Sequence, residues 1–266
     1  MKYILCASSL VLSSLLAFGM ASAEKPQSSG SATQPGKTPV IVELFTSEGC
    51  SSCPPADALL KKLEEDQPIG KAEVIALEEH VDYWNSGGWT DPFSSAEITY
   101  RQQQYAGSLK TPGPYTPQMI IDGHTELIGS RGPSGLDEIE RAASQPKMEV
   151  TLTAASATAE GSRSFSVRVG KLRGASAKDV VEVWMAVTET HLESSVTAGE
   201  NSGEKLRHAA VLRSLRKIGE AKAAGEFSFS GDVSSKFGAN WKRENLRCVV
   251  FLQEKKSRRI LGAASI

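Results

Sequence analysis

"FTSEGCSSCPPADALL", Phe45 to Leu60, is the stretch on which the fold turns. Two cysteines stand three apart, Cys50 and Cys53, with two serines between them and Pro54-Pro55 straight after. Upstream, "PVIVELF" is a run of β-branched and aromatic residues that reads as a buried strand of the parallel-sheet type. Downstream, Ala56, Leu59, Leu60 and Leu63 recur at helical spacing. The cysteines therefore lie where a strand hands over to a helix. With Ser52 as the cap, Cys53 is the first helical residue and the prolines follow it, where no backbone N–H is required.

That position suits redox chemistry. A helix N-terminus carries unpaired N–H groups and a partial positive charge, which stabilise a thiolate. The pKa of a thiol there falls from about 8.5 toward 7 or below. Cys50 is then the nucleophile, and Cys53 is placed to attack the mixed disulfide that results. A structural zinc site would need two more ligands in similar arrangement. The four histidines, at 80, 124, 191 and 208, form no H-x₃₋₅-H pair, so no metal and no cofactor is expected. A structural staple fits the same spacing and stays open.

Outward from the pair, the chain alternates. "EVIALEEHV" (73–81) reads as a strand, and "SSAEITYRQQQYAG" as a helix capped by Ser95. "YTPQMIIDGHTELIGS" gives two short strands around Asp122-Gly123, a strong hairpin signal. "GPSGLDEIERAAS" closes the unit with a helix, in the order β-α-β-α-β-β-α. Near Gln145-Pro146 the texture changes to strand runs at hairpin spacing, among them "SFSVRVGKL", "VVEVWMAVTET", "GEFSFSG", "LRCVVFLQEK" and "RRILGAAS". "EKLRHAAVLRSLRKI" fits either helix or strand. "KKSRR", Lys255 to Arg259, reads as a solvated hairpin turn. The expected organisation is residues 39–145 as one α/β unit and 147–266 as a β-rich, sandwich-like unit.

The N-terminus speaks to compartment. Residues 1–23 carry Lys2, an apolar run and a small-residue ending, Ala21-Ser22-Ala23, and read as a secretory signal peptide. Residues 24–38, rich in Ser, Gly and Pro, read as a flexible leader. Periplasmic or secreted localisation follows, and Cys6 leaves with the peptide. Cys50, Cys53 and Cys248 then remain; Cys248 alternates with apolar residues and reads as buried. The 266 residues hold 30 basic and 31 acidic side chains and are 40% apolar. Mixed, nearly balanced charge argues against a nucleic-acid or membrane-surface binder.

"LFTSEGCSSCPPAD", "HVDYWNSGGWTDPFSS", "YRQQQYA" and "YTPQMIIDG" together resemble a family of secreted bacterial proteins of unknown function that pairs an N-terminal thioredoxin-like domain with a β-rich C-terminal one. The thioredoxin superfamily resemblance implies that Thr116-Pro117 is a cis-proline loop facing the disulfide, with Tyr115, Thr116 and Pro117 shaping a groove for an extended substrate. It also implies that Glu43 takes the place of the superfamily's buried acid, which helps deprotonate the second cysteine. A salt-bridged, partly exposed Glu43 is the alternative. Ser51-Ser52 departs from the dipeptides of efficient oxidants and reductants, so a middling or low potential is expected.

"DYWNSGGWTDPF" places Tyr83, Trp84, Trp89 and Asp91 in one glycine-hinged loop. It is either a substrate lid or a packed loop whose tryptophans fill gaps. His80 ends a strand, where catalytic groups of open α/β folds often lie, yet a lone histidine is more often structural. The leading function is thiol–disulfide exchange with protein substrates or a redox partner. The alternatives are a binding protein with a structural disulfide and a Cu(I) handler using Cys50, Cys53, His80 and Met119.

Overall fold

The computed structural model describes residues 36–157, 162–170, 175–222 and 230–266. The expected signal peptide, residues 24–35 of the leader and most of "GEFSFSG" lie outside them. Among the described residues there are three α-helices and thirteen strands.

Strand β1 (Thr38–Thr46) leads through the cysteines into helix α1 (Pro54–Asp66), which returns the chain to β2 (Ala72–His80), parallel to β1 in register Thr38↔Ala72 to Thr46↔His80. The helix starts one residue later than the sequence predicts. Cys53, not Ser52, is the cap and makes no side-chain cap bond, while Pro54 and Pro55 open the first turn, whose N–H groups would be unpaired in any case. Helix α2 (Ala96–Leu109) begins as expected at Ser95, whose hydroxyl accepts from the Ile98 amide. The hairpin β3 (Gln118–Ile121) and β4 (Thr125–Ile128) and helix α3 (Gly132–Ala143) complete the predicted order.

Strands β5 (Val150–Ala157), β6 (Ser162–Val169), β7 (Val180–Glu189), β8 (Leu192–Ser195), β9 (Lys205–His208), β10 (Val211–Lys222), β11 (Ser230–Lys236), β12 (Leu246–Glu254) and β13 (Ile260–Ser265) follow. The ambiguous "EKLRHAAVLRSLRKI" is therefore strand, β9 and β10. Pairing of β10 along β7 satisfies its backbone groups, which its own local pattern left undecided.

The two halves of the chain share one sheet, in the order β13-β12-β7-β10-β2-β1-β3-β4. Its seam is the parallel contact of β10 with β2 at Val211↔Glu78. Helices α1 and α3 cover one face of the N-terminal strands, where Val40, Val42, Leu44 and Val74 meet Leu60, Leu63 and Ile139. On the other face α2 seals a core that crosses the seam, joining Ile41, Phe45, Ile75 and Tyr105 to Ala186, Val249 and Phe251. The sandwich expected for the C-terminal segment is local. The small sheet β11-β6-β5 packs Leu152, Phe165 and Val167 against Val183, Val250 and Leu252 of the large one. The basic turn is a hairpin as expected, but Arg258 turns inward, 4% exposed, over the Tyr105 ring.

Candidate functional site

The C-terminal ends of β1 and β2 open toward the start of α1. Cys50 and Cys53 meet there in a disulfide with Cα atoms 5.4 Å apart. The Cys53 amide donates to the Cys50 carbonyl, and the amides of Ala56 and Asp57 donate to Cys53. Both cysteines are fully buried. What covers them comes from the far half of the chain. In the loop joining β8 to β9, Asn201 Nδ2 donates to the carbonyls of Glu48 at 2.8 Å and Cys50 at 3.1 Å. The Glu200 carboxylate accepts from the Ser51 amide and hydroxyl.

The aromatic loop after β2 packs beside this lid. Trp84 abuts Gly49, where an added Cβ would lie 3.1 Å from the Trp84 Cβ, and its indole N–H donates to Thr116 Oγ1 at 2.8 Å. Trp84 thereby links the cysteine loop to the Thr116–Pro117 bond, which is cis. Pro117 approaches α1 itself: a Cβ on Gly129 would sit 3.1 Å from Ala56 and 3.2 Å from Pro117. Trp89 donates to Glu48 at 2.8 Å, and Tyr115 donates to Glu126. Trp84, Trp89, Tyr115 and Thr116 are each partly buried. The loop is thus bonded at several points, as a packed loop would be, while it still borders the cysteines.

Glu43 is elsewhere. Strand alternation turns it, with Ile41 and Phe45, to the α2 face, whereas α1 covers the face of Val42 and Leu44. Fully buried, it pairs with Arg101 (Nε to Oε1 2.7 Å) and accepts from the Tyr105 hydroxyl. The ion pair anticipated from the sequence exists, but it is buried, and the role of acid beside Cys53 does not fit a residue on the opposite face. Glu79 lies in the same pocket, its carboxyl raised well above the ordinary value by burial and then by Glu43.

The acids that do lie on the α1 face are others. Asp57, in the first turn of α1, accepts from Thr46 Oγ1 at 2.6 Å. Burial, and then the Glu78 charge, raise its carboxyl to about 7. Behind it stands a buried cluster built from four segments. Glu78 and His80 share one face of β2, His208 ends β9, Glu48 precedes the cysteines and Asp91 lies in the aromatic loop. His208 Nδ1 donates to Glu78 Oε1 at 2.7 Å, and its Nε2 donates to Glu48 Oε1 at 3.0 Å. His80 Nδ1 donates to Asp91 Oδ2 at 2.7 Å. His80 Nε2, also buried, makes no hydrogen bond and lies 3.5 Å from Glu78 Oε1. Phe93 caps both imidazoles edge to face.

Burial opposes charge on these groups, but the pairing outweighs it. His80 rises to about 9 through Asp91, and His208 to about 11 through Glu78 and Glu48. Glu78 and Asp91 are held below the ordinary carboxylate range by His208 and His80 respectively, again against burial.

The sulfur-rich copper set expected as an alternative does not gather here. Met119 pairs with Leu44 and lies in the apolar core under α1 and α3. Sequence reasoning passed over Glu48, Asp57, Glu78, His208 and Asn201. One signal was present: "LEEH" puts three titratable residues in a row at the end of a buried strand, and such residues need partners. His208, 128 residues from His80, had none.

The family model described as a protein of unknown function, DUF1223, matches residues 41–253. No curated protein matches the chain. An Agrobacterium tumefaciens protein of known crystal structure is similar at 27% identity, over 86% of this chain and 94% of that one, with a TM-score of 0.62. The structure of HBP35 of Porphyromonas gingivalis is similar in fold, at 15% identity, over 86% of this chain and 75% of that one, with a TM-score of 0.62.

Proposed function

We propose that this chain, which belongs to the DUF1223 family of proteins of unknown function, is a periplasmic or secreted thioredoxin-like protein that exchanges disulfides with protein partners through Cys50 and Cys53. One observation carries the reading: a C-x-x-C disulfide at the mouth of a helix, tied through Trp84 to a cis Thr116–Pro117 bond. The signal-peptide pattern of residues 1–23 supports the compartment.

In the reducing direction the Cys50 thiolate attacks one sulfur of a substrate disulfide and releases a substrate thiolate. The Cys53 thiolate then attacks Cys50 Sγ of the mixed disulfide and releases the second. The substrate gains two electrons and the pair loses them; oxidation of a substrate dithiol is the reverse. Asp57, at the start of the same helix and raised to about 7, is placed better than Glu43 to take or return a proton in this step. A substrate would enter once residues 196–204 lift from Ser51 and Cys50.

The complete burial of both cysteines favours a second reading, in which the disulfide is a staple and the aromatic loop binds a partner. Equilibration in thiol redox buffers separates the two. A potential between about −120 and −270 mV, with exchange abolished by Cys50→Ser, supports catalysis; a value below about −300 mV assigns the staple.

A further inference from the structure

We propose that Glu78, His80 and His208 form a binding site for a divalent transition-metal ion of the zinc class, built across the seam between the two halves of the chain. The inference is independent of whether the disulfide exchanges.

One donor atom from each of Glu78, His80 and His208 lies within 4.8 Å of the other two, and Glu78 Oε1 stands 3.5 Å from His80 Nε2 and 2.7 Å from His208 Nδ1. Two imidazoles and a carboxylate are a donor set that zinc uses, at about 2.0–2.1 Å per bond. Ligands of a tetrahedral ion at that distance stand roughly 3.3–3.4 Å apart. The separation of His80 Nε2 from Glu78 Oε1, 3.5 Å, already matches. The contact of His208 Nδ1 with Glu78, 2.7 Å, is a hydrogen bond that the ion would replace with only a small movement.

The surroundings are those of a built site. A ligating histidine is normally oriented by a carboxylate on its other nitrogen. Here both are: Asp91 holds His80 Nδ1 and Glu48 holds His208 Nε2. Those carboxylates are held in turn, Asp91 by the Glu48 and Phe93 amides and Glu48 by Trp89. The second oxygen of Glu78 accepts from the Ala209 amide. Among the side chains of Glu48, Glu78, His80, Asp91 and His208, every buried polar atom except one has a hydrogen-bond partner. The exception is His80 Nε2, buried, unbonded and turned toward Glu78. Coordination would give this nitrogen the partner it lacks.

Charge is consistent as well. Among the described residues, the ionic partners given to Glu48, Glu78 and Asp91 are these two histidines. A divalent ion there would meet the Glu78 carboxylate directly and the Asp91 and Glu48 carboxylates through the two imidazoles. A water would complete four-coordination. Because the donors are buried, the ion would be structural, clamping β2 to the β9 end of the lid hairpin.

The test uses the full mature chain, refolded from denaturant with equimolar Zn²⁺ and passed through gel filtration. The expected result is one zinc retained per chain, a higher Tm than the zinc-free sample, and full retention in the Cys50→Ser/Cys53→Ser variant. Glu78→Gln should lose the metal, and Asp91→Asn should weaken binding by ~10–100-fold. Co²⁺ titrated into wild type during refolding should give visible d–d absorption that saturates at one equivalent and is displaced by Zn²⁺, a readout that needs no variant to fold. Wild type with neither retained zinc nor a cobalt spectrum overturns the site. Full retention by a folded Glu78→Gln, or loss in the cysteine variant, overturns it equally.

Discussion

Asn201 holds Cys50 from 151 residues away, its side-chain amide bridging the Cys50 carbonyl at 3.1 Å and the Glu48 carbonyl at 2.8 Å. With Glu200, which accepts from Ser51, it fastens the β8–β9 loop to the segment that carries the buried disulfide. Each bond contributes about 1 kcal/mol. Asn201→Ala is therefore expected to speed reduction of the disulfide by a small thiol roughly tenfold, followed by quenched alkylation and mass spectrometry. Glu200→Ala, at an exposed contact, should have a smaller effect. An unchanged rate for Asn201→Ala would show that the loop does not limit access.

Arg101 supplies the cation for Glu43 beneath α2, and both are buried. Removing one partner strands the other charge, so Arg101→Ala should cost about 3–5 kcal/mol in urea unfolding. Because the pair lies on the face opposite α1, Glu43→Gln should leave the reduction potential of the disulfide unchanged. A shifted potential in that variant would restore the role suggested by the sequence.

The Asp122-Gly123 hairpin has both central residues at positive φ, 48° and 65°, as a type I′ turn requires. A Cβ at Gly123 would stand 1.9 Å from the Arg258 carbonyl of the β12–β13 turn. Left-handed strain and this backbone collision act together. Gly123→Ala should lose more than ~2 kcal/mol and lower Tm measurably by calorimetry.

Burial pushes the Cys248 thiol up to about 12. The folded chain thus favours the protonated form, and this contribution to stability is complete below pH 9 and lost as pH climbs toward 12. Between those limits the alkaline fall in stability should be shallower in Cys248→Ala than in wild type, by up to about 1.4 kcal/mol per pH unit. At pH 8 Cys248 should resist iodoacetamide until denaturant is added. Rapid native alkylation would contradict the burial.

Much of the fold was legible because its signals are local. Period-3.6 and period-2 patterns place α1, α2, β1 and β2, Ser95 marks a helix start, and Asp122-Gly123 marks a turn. The α1 boundary slipped by one residue because the Ser52 hydroxyl pairs with Cys50 Sγ at 3.4 Å, which leaves Cys53 as the cap without a side-chain bond. The surroundings of Glu43 were not legible for a different reason. Alternation assigns it to the face of Ile41 and Phe45, but nothing local says whether α1 or α2 covers that face.

Local pattern was enough for most elements, the cysteine pair at a helix start and the proline before β3, since each depends on residues within a turn or two of itself; β9 and β10 were the exception. That β10 joins β2, carrying His208 to Glu78 and Asn201 to Cys50, has no local signal. Those pairings rest on burial summed over a shared core, from Ile41 and Ile75 across to Val249 and Phe251. Free energy of that kind belongs to the whole sheet, and no short window of sequence contains it.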